Sequence, residues 1–197
     1  MPFTTGFVLP AGTLSRAPQP VLPTGDGLVL RPWRAEDAPA VHAVFQDPLM
    51  HQWHIRSSDS EAEAAGWIEE WRASWEAERD AQWAVADAES DALLGRVALR
   101  GVLLSEGVAE VAYWTAAAAR GRGVAARATT ALTRWAFDEI GFHRLELMHS
   151  VANPASCRVA TKAGFTLEGT KRSATLHPDG WHDMHLHARV QDDRDRP

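Results

Sequence analysis

The sequence predicts an α/β (α+β) fold, a mixed central sheet with helices on both faces. Two observations lead there. The predicted elements run β-α-α-β-β-β-α-β-α-β-β, which is neither a pure meander nor a repeating βα alternation. Three strand-like segments, residues 82–87, 92–100 and 108–114, follow one another with short turns at Glu89-Ser90-Asp91 and Ser105-Glu106-Gly107, so that part of the sheet is antiparallel. A chain of 197 residues suffices for one domain with an extra arm and a core that needs no staples.

Residues 1–26 are rich in Pro, Gly, Thr and Ala, lack a period, and read as an irregular or partly ordered N-terminal arm. The main domain spans residues 27–190, and residues 191–197 form a charged, frayed tail. Leu28-Val29-Leu30-Arg31-Pro32-Trp33 reads as a first strand ended by proline. Residues 35–46 read as a short helix with Ala40, Val41, Val44 and Phe45 on its apolar side, stopped by Asp47-Pro48. Leu49 to Ser58 reads as a loop. A longer helix over about 60–79 opens with capping-box spacing at Ser60 and Glu63. Its Trp67, Trp71 and Trp75 share one face, most simply as a core stripe.

After the three strands, residues 123–140 are helical, with Val124, Ala128, Ala131, Leu132 and Trp135 on one face and Gly141 at the C′ position. A strand follows over 144–151. Asn153-Pro154 carries the N-cap and N1 signature of a helix that stops at Gly164. Two strands near 165–172 and 184–190 close the domain.

The formal net charge of −6 argues against nucleic acid as the main partner. Cys157 is the single cysteine, so no intrachain disulfide forms, which fits a reducing compartment. No apolar run approaches the roughly 18 residues that span a bilayer, and no signal-peptide pattern opens the chain. These features predict a cytoplasmic protein without membrane contact.

The most informative stretch follows the third strand of the meander. That strand ends at Trp114, and six residues later Arg120-Gly121-Arg122-Gly123-Val124-Ala125 opens a helix. A helix N-terminus has unpaired N–H groups and partial positive charge. Glycines let backbone approach a ligand, and two arginines add charge, so the loop suits a pyrophosphate. A plain surface turn is one competing reading. A dinucleotide-binding turn is another, because Gly121-x-Gly123-x-x-Ala126 matches G-x-G-x-x-A. That turn should follow its strand directly, early in a domain, and here six residues intervene and several strands come first. The absence of Gly-Lys-Ser/Thr excludes a Walker loop.

Arg120-x-x-Gly123-x-Ala125 resembles the Q/R-x-x-G-x-G/A signature of the GNAT acetyltransferases. Ala109-Glu110-Val111-Ala112-Tyr113-Trp114 resembles their fourth strand. Asn153-Pro154-Ala155-Ser156, Lys162-Ala163-Gly164-Phe165 and Leu167-Glu168-Gly169 resemble the RimJ/RimL-like branch, whose known members acetylate N-terminal amines of ribosomal proteins. The resemblance covers roughly residues 27–190 and implies a sheet of about seven strands, splayed between the fourth and fifth. Acetyl-CoA, or another short acyl-CoA, would lie in the splay. Its pantetheine would pair with Val111, Ala112, Tyr113 and Trp114, and its pyrophosphate would rest on Arg120, Gly121, Arg122, Gly123, Val124 and Ala125. Asn153 and Ser156 complete the implied cofactor set.

The implied reaction is direct attack of an amine on the thioester. A backbone N–H at Tyr113 or Trp114 would polarise the carbonyl. Many family members carry an acidic tyrosine seven residues after the helix-start asparagine. Ala160 stands there, so Ser156 is the candidate thiolate partner. Thr175 stands where relatives can carry a carboxylate, which leaves Glu110 acting through water as the candidate base, or a histidine of the 51–54 segment. His51, Trp53, His54 and Trp71 are the candidate acceptor pocket. The acceptor is a small-molecule amine or a protein N-terminal amine, and the net negative charge suits a cationic one. Homodimers are a reasonable expectation for the family. His51-x-x-His54 and His182-x-x-His185-x-His187 hint at metal, but no Cys or carboxylate cluster completes either run, so no metal is expected. Two alternatives stay open: a succinyl-CoA or other acyl-CoA enzyme using Arg56 or Arg172, and a non-catalytic acyl-CoA-binding module.

Overall fold

Apolar residues set the sheet: where they alternate one face is buried, and where they run on both are. The computed structural model describes residues 6–54 and 56–194. The first five residues of the expected arm, Ile55 of the expected loop and the last three of the expected tail lie outside the described residues. Strands β1 (Leu22–Pro23), β2 (Leu28–Pro32), β3 (Ala81–Asp87), β4 (Leu93–Leu103) and β5 (Val108–Thr115) pair antiparallel in sequence order. β6 (Arg144–Ser150) joins β5 in parallel. The hairpin of β7 (Thr166–His177) and β8 (Gly180–Val190) completes an eight-stranded sheet of order β1-β2-β3-β4-β5-β6-β8-β7. β3 is buried along almost its whole length, as a strand covered on both faces must be.

Helices cover the two faces. α1 (Ala38–Val44), α2 (Pro48–Trp53) and α3 (Glu61–Glu76) lie on one; α4 (Val124–Trp135) and α5 (Pro154–Lys162) lie on the other. The first face encloses Trp33, Val41, Phe45, Met50, Trp67, Trp71 and Trp114. The second encloses Val97, Val111, Val124, Leu132, Trp135, Leu145 and Leu147. The tryptophan stripe of α3 is core, as expected, but it serves both clusters. Trp67 and Trp71 belong to the first, and Trp75 meets Trp83 and Trp135 in the second, at 5.8 and 6.2 Å between ring centroids.

Three elements differ from the sequence reading. The expected loop after Asp47 contains α2: Asp47 caps it by accepting the Leu49 N–H at 3.0 Å, with Pro48 in its first turn. Asp47-Pro48 therefore starts a helix as well as stopping one. The last two strands are longer than expected, because His177-Pro178-Asp179-Gly180 is a tight hairpin turn. The strand count is eight rather than about seven, because β1 forms within the arm. That arm has irregular backbone yet is clasped. The Glu78 carboxylate accepts N–H bonds from Gly12 and Leu14, both at 2.6 Å, and from Ser15 at 3.1 Å. The indoles of Trp75 and Trp83 donate to the carbonyls of Ala17 and Pro20. Among the described residues no helix is long and apolar enough to cross a membrane.

One buried charge ties the start of the sheet to the helix that follows. Arg31, only 4% exposed on β2, makes a two-pronged pair with Asp37 at 2.8 Å per bond and reaches Asp91 at 2.7 Å. Removing one partner of a buried pair leaves an uncompensated charge. Asp37→Ala should therefore lower the unfolding free energy by about 3–5 kcal/mol, read from urea denaturation. Asp91 is half exposed, and Asp91→Ala should cost no more than about 1 kcal/mol. Equal losses from the two would show that burial does not set the strength of this network.

Candidate active site

The site begins where the sheet comes apart. β5 pairs with β6 only over Val108–Glu110 against Arg144–Glu146. Beyond that point β5 stays bonded to β4 as far as Thr115, and β6 stays bonded to β8 as far as Ser150. The edge of β5 from Val111 to Trp114 thus faces an opening instead of a strand. Backbone groups on such an edge need partners, and a ligand with amide groups can supply them. The opening is the splay that the sequence placed between a fourth and a fifth strand; β1 shifts the count by one.

The loop at the mouth of this cleft has the form an anion needs. After a short turn of 3-10 helix at Ala117–Ala119, Gly121 and Gly123 take left-handed backbone, with φ of 75° and 74°. Gly123 is the N-cap of α4 and offers no side chain to the helix end. The first backbone bond of α4 runs from the Arg127 N–H to the Gly123 carbonyl at 3.1 Å. The preceding amides belong to the unpaired first turn. A Cβ at Gly121 or Gly123 would meet no atom within 4 Å, so the space beside them is open. Arg122 is exposed at the tip. Arg120 forms an ion pair with Asp47, which the sequence reading did not foresee. That pair ties the loop to the N-terminus of α2.

Across the cleft, α5 presents Ser156. The Asn153 side chain accepts the Ser156 N–H at 3.1 Å, the capping bond expected of Asn-Pro. The Tyr113 hydroxyl reaches from β5 to donate to the Ser156 carbonyl at 3.4 Å. Burial pushes the Tyr113 phenol up to about 12, so it stays protonated. Tyr113 lies on the α4/α5 face of β5, and Trp114 on the face of α1 and α3. Strand alternation puts Glu110 and Ala112 on the Trp114 side. Ser156 and Glu110 therefore flank the cleft from opposite faces of the sheet. Burial holds the Glu110 carboxyl above the usual carboxylate range; Arg100 opposes this and its register partner Glu146 adds to it.

The residues expected around the acceptor are only partly together. Trp71 is buried against Trp33, with 4.7 Å between centroids. His54 packs edge-on to Phe45. Burial pushes His54 down to about 4, with Arg96, Arg100 and His177 adding to the shift. His51 turns its Nε2 back to the Phe45 carbonyl at 2.7 Å, a bond that anchors α2. Trp53 packs edge-on to His177 and His182 instead of to Trp71.

Two features escaped the sequence reading. Arg96, on β4, lies over the Trp71 ring at 5.4 Å, and its Nε is buried with no hydrogen-bond partner among the described residues. Burial, with Arg100 and Arg56, pushes it down to about 10. The indole N–H groups of Trp33 and Trp114 are likewise buried without a partner among the described residues. The only signal in the sequence was a pair of arginines, Arg96 and Arg100, in a mostly apolar strand. The second feature is a hydrogen-bonded chain that runs outward from β6. The Ser150 hydroxyl lies 2.7 Å from His182 Nδ1, and His182 Nε2 lies 2.8 Å from exposed Asp179. Its members come from two strands and a turn, so no local spacing announced it.

This fold, with its parted strands and phosphate-type loop, defines an acyl-CoA-dependent N-acetyltransferase. Residues 27–166 match the model of the acetyltransferase (GNAT) domain, and the chain belongs to that family. An uncharacterized N-acetyltransferase of Bacillus subtilis, YoaA, is 25% identical over 78% of this chain and 86% of its own. The ribosomal-protein-serine acetyltransferase of Escherichia coli is 30% identical over 53% of this chain and 58% of its own. Among solved structures, a ribosomal α-N-protein acetyltransferase, RimL, in complex with coenzyme A superposes with a TM-score of 0.78 at 20% identity. It covers 87% of this chain and 98% of its own.

The open space at Gly123 leads to a direct test. Gly123→Val puts a branched side chain at positive φ and fills the mouth of the loop. Coenzyme A affinity, measured by calorimetry, should fall more than about tenfold, which corresponds to about 1.4 kcal/mol. Unchanged affinity would mean that the loop holds no part of the cofactor.

Proposed function

We propose that the protein transfers an acetyl group from acetyl-CoA to a primary amine by direct attack within a ternary complex. The observation that carries this reading is the parting of β5 from β6 beside the unpaired N-terminus of α4. The amides from Gly121 to Ala125, with Arg122, hold the pyrophosphate. Val111 to Trp114 pair with the pantetheine, and the N–H of Tyr113 or Trp114 donates to the thioester oxygen. The amine nitrogen bonds to the carbonyl carbon and the carbon–sulfur bond breaks. Ser156, placed by Asn153, gives its proton to the departing thiolate and is restored by the proton that the acylated nitrogen releases.

The ammonium proton goes first to Glu110 through water. Its raised pKa makes Glu110 the stronger base, whereas His54 at about 4 holds a proton too weakly. In this reading residues 27–190 are the catalytic domain, with the arm clasped against it. The acceptor is a small-molecule amine or a protein N-terminal amine; a curated relative is named for acetylating a ribosomal protein.

Arg96 and the two unpartnered indoles favour an acceptor that also carries an anionic group, in contrast to the cationic acceptor that net charge suggested. A carboxylate on the acyl chain, as in succinyl-CoA, is the second reading the same arginine supports.

Ser156→Ala should lower kcat by about 10²–10⁴-fold with acetyl-CoA affinity unchanged; an unaltered turnover number removes its acid role. The base must be deprotonated, so the rate should rise as pH climbs through a pKa above the ordinary glutamate value. Glu110→Gln should abolish that limb of the kcat/KM profile. A thiol-release screen should pair acetyl-, propionyl- and succinyl-CoA with neutral, cationic and carboxylate-bearing amines. Arg96→Met should raise KM for a carboxylate-bearing amine by about 10–100-fold, the loss of one charge-assisted bond. If it erased only succinyl-CoA use, the arginine would serve the acyl chain. Tight coenzyme A binding with no turnover across the panel would make the protein a binding module.

A further inference from the structure

The histidines of the last strands do not face solvent singly. His185 and His187 alternate along β8 on one face, and His185 lies opposite His149 of β6 in register. α5 closes over that face and brings Cys157 down from its first turn. One ligand-type atom from each of His149, Cys157, His185 and His187 lies within 4.8 Å of every other. The set draws on three elements, so neither histidine run in the sequence contained it. The missing cysteine is supplied by α5.

Tautomers sharpen the picture. His149 Nδ1 lies 2.8 Å from the Ser150 carbonyl. A carbonyl only accepts, so Nδ1 carries the proton and Nε2 keeps its lone pair. That lone pair faces His187 Nε2 at 3.2 Å. A backbone carbonyl on the far nitrogen is the arrangement that orients metal-binding imidazoles. His149 is 5% exposed and His187 2%, so both rings lie inside the fold. His185 Nδ1 is buried with no hydrogen-bond partner among the described residues.

We propose that His149, Cys157, His185 and His187 bind a zinc-class divalent cation in a closed tetrahedral site. With metal–nitrogen bonds of 2.0–2.1 Å, tetrahedral geometry puts two nitrogens about 3.3 Å apart and a nitrogen and sulfur about 3.6 Å apart. The His149–His187 separation already matches. The widest separation within the cluster, 4.8 Å, leaves an adjustment of about 1.2–1.5 Å, within reach of side-chain rotation. Three imidazoles and a thiolate, without a carboxylate, suit zinc rather than calcium or magnesium. Cys157 loses its thiol proton to the solvent on binding. All four positions are protein ligands, so the role is structural: the ion pins the first turn of α5 to β6 and β8. This proposal does not depend on which amine is acetylated.

The test is metal analysis of the protein as purified, followed by cobalt(II) titration after chelator treatment and competition with zinc(II). Wild type should hold stoichiometric zinc. Bound cobalt should show intense visible bands of a tetrahedral site and a near-ultraviolet thiolate charge-transfer band. Cys157→Ser should lose that band. His149→Gln should weaken cobalt binding beyond the roughly 10–100-fold that loss of an outer hydrogen bond costs. Circular dichroism of each variant confirms that it is folded. No saturable metal binding by folded wild type would overturn the proposal, as would equal binding by wild type and both folded variants.

Discussion

Three residue pairs join β5 to β6, and from Glu110 and Glu146 onward the two strands part while each stays bonded to its other neighbour. A backbone edge in the middle of a sheet cannot be left without partners. Everything else at the site is arranged around that edge. Glu110 stands at the vertex, Tyr113 crosses toward α5, and the glycine loop stands where β5 runs out. α5 is anchored by its own asparagine cap, which sets Ser156 on the far wall. A strand pairing that fails on one side thus creates the place where a ligand with peptide-like groups can take the missing strand's role.

Charge is distributed against the average. The chain is acidic overall, yet Arg56, Arg96 and Arg100 gather electrostatically on the α1–α3 side of the cleft. Net charge describes long-range steering and solubility. It says little about a pocket where the Nε of one half-buried guanidinium lacks a hydrogen-bond partner among the described residues. Arg120 shows the opposite case: the loop's first arginine is neutralised by Asp47, so Arg122 is the freer cation at the tip. Two arginines that look equivalent in sequence thus have different work.

The fold was legible wherever signals were local. Apolar alternation located β3, β4 and β5 to within a few residues, Asn153-Pro154 marked a helix start correctly, and Gly141 ends the π-helical turn, Ala136–Ile140, that continues α4. α2 was lost because six residues carry too little periodicity, although Asp47-Pro48 has the same signature that was read at Asn153-Pro154. The length of the β7–β8 hairpin was written in Pro178-Asp179-Gly180. In the cleft, the loop was legible because its residues are contiguous. Arg96 was not, because a polar residue in a strand looks solvent-facing until the opposing tryptophans are in place. The grouping of His149, Cys157, His185 and His187 depends on strand register and helix docking, which no spacing within one segment encodes.

The sheet has two outer edges besides its inner one, and each meets the hazard of uncontrolled strand addition differently. On one side β1 is a two-residue strand, too short to template a partner. On the other, β7 is long and exposed, but it is broken by register shifts at Leu167/Gly169 and Lys171/Thr175, carries Lys171 and Arg172, and turns to positive φ at Ser173. The inner edge from Val111 to Trp114 has neither device. Its protection is steric, since helices on both sheet faces confine it within the fold. The protein can therefore keep one adhesive backbone edge open to a slender ligand while denying it to a neighbouring chain.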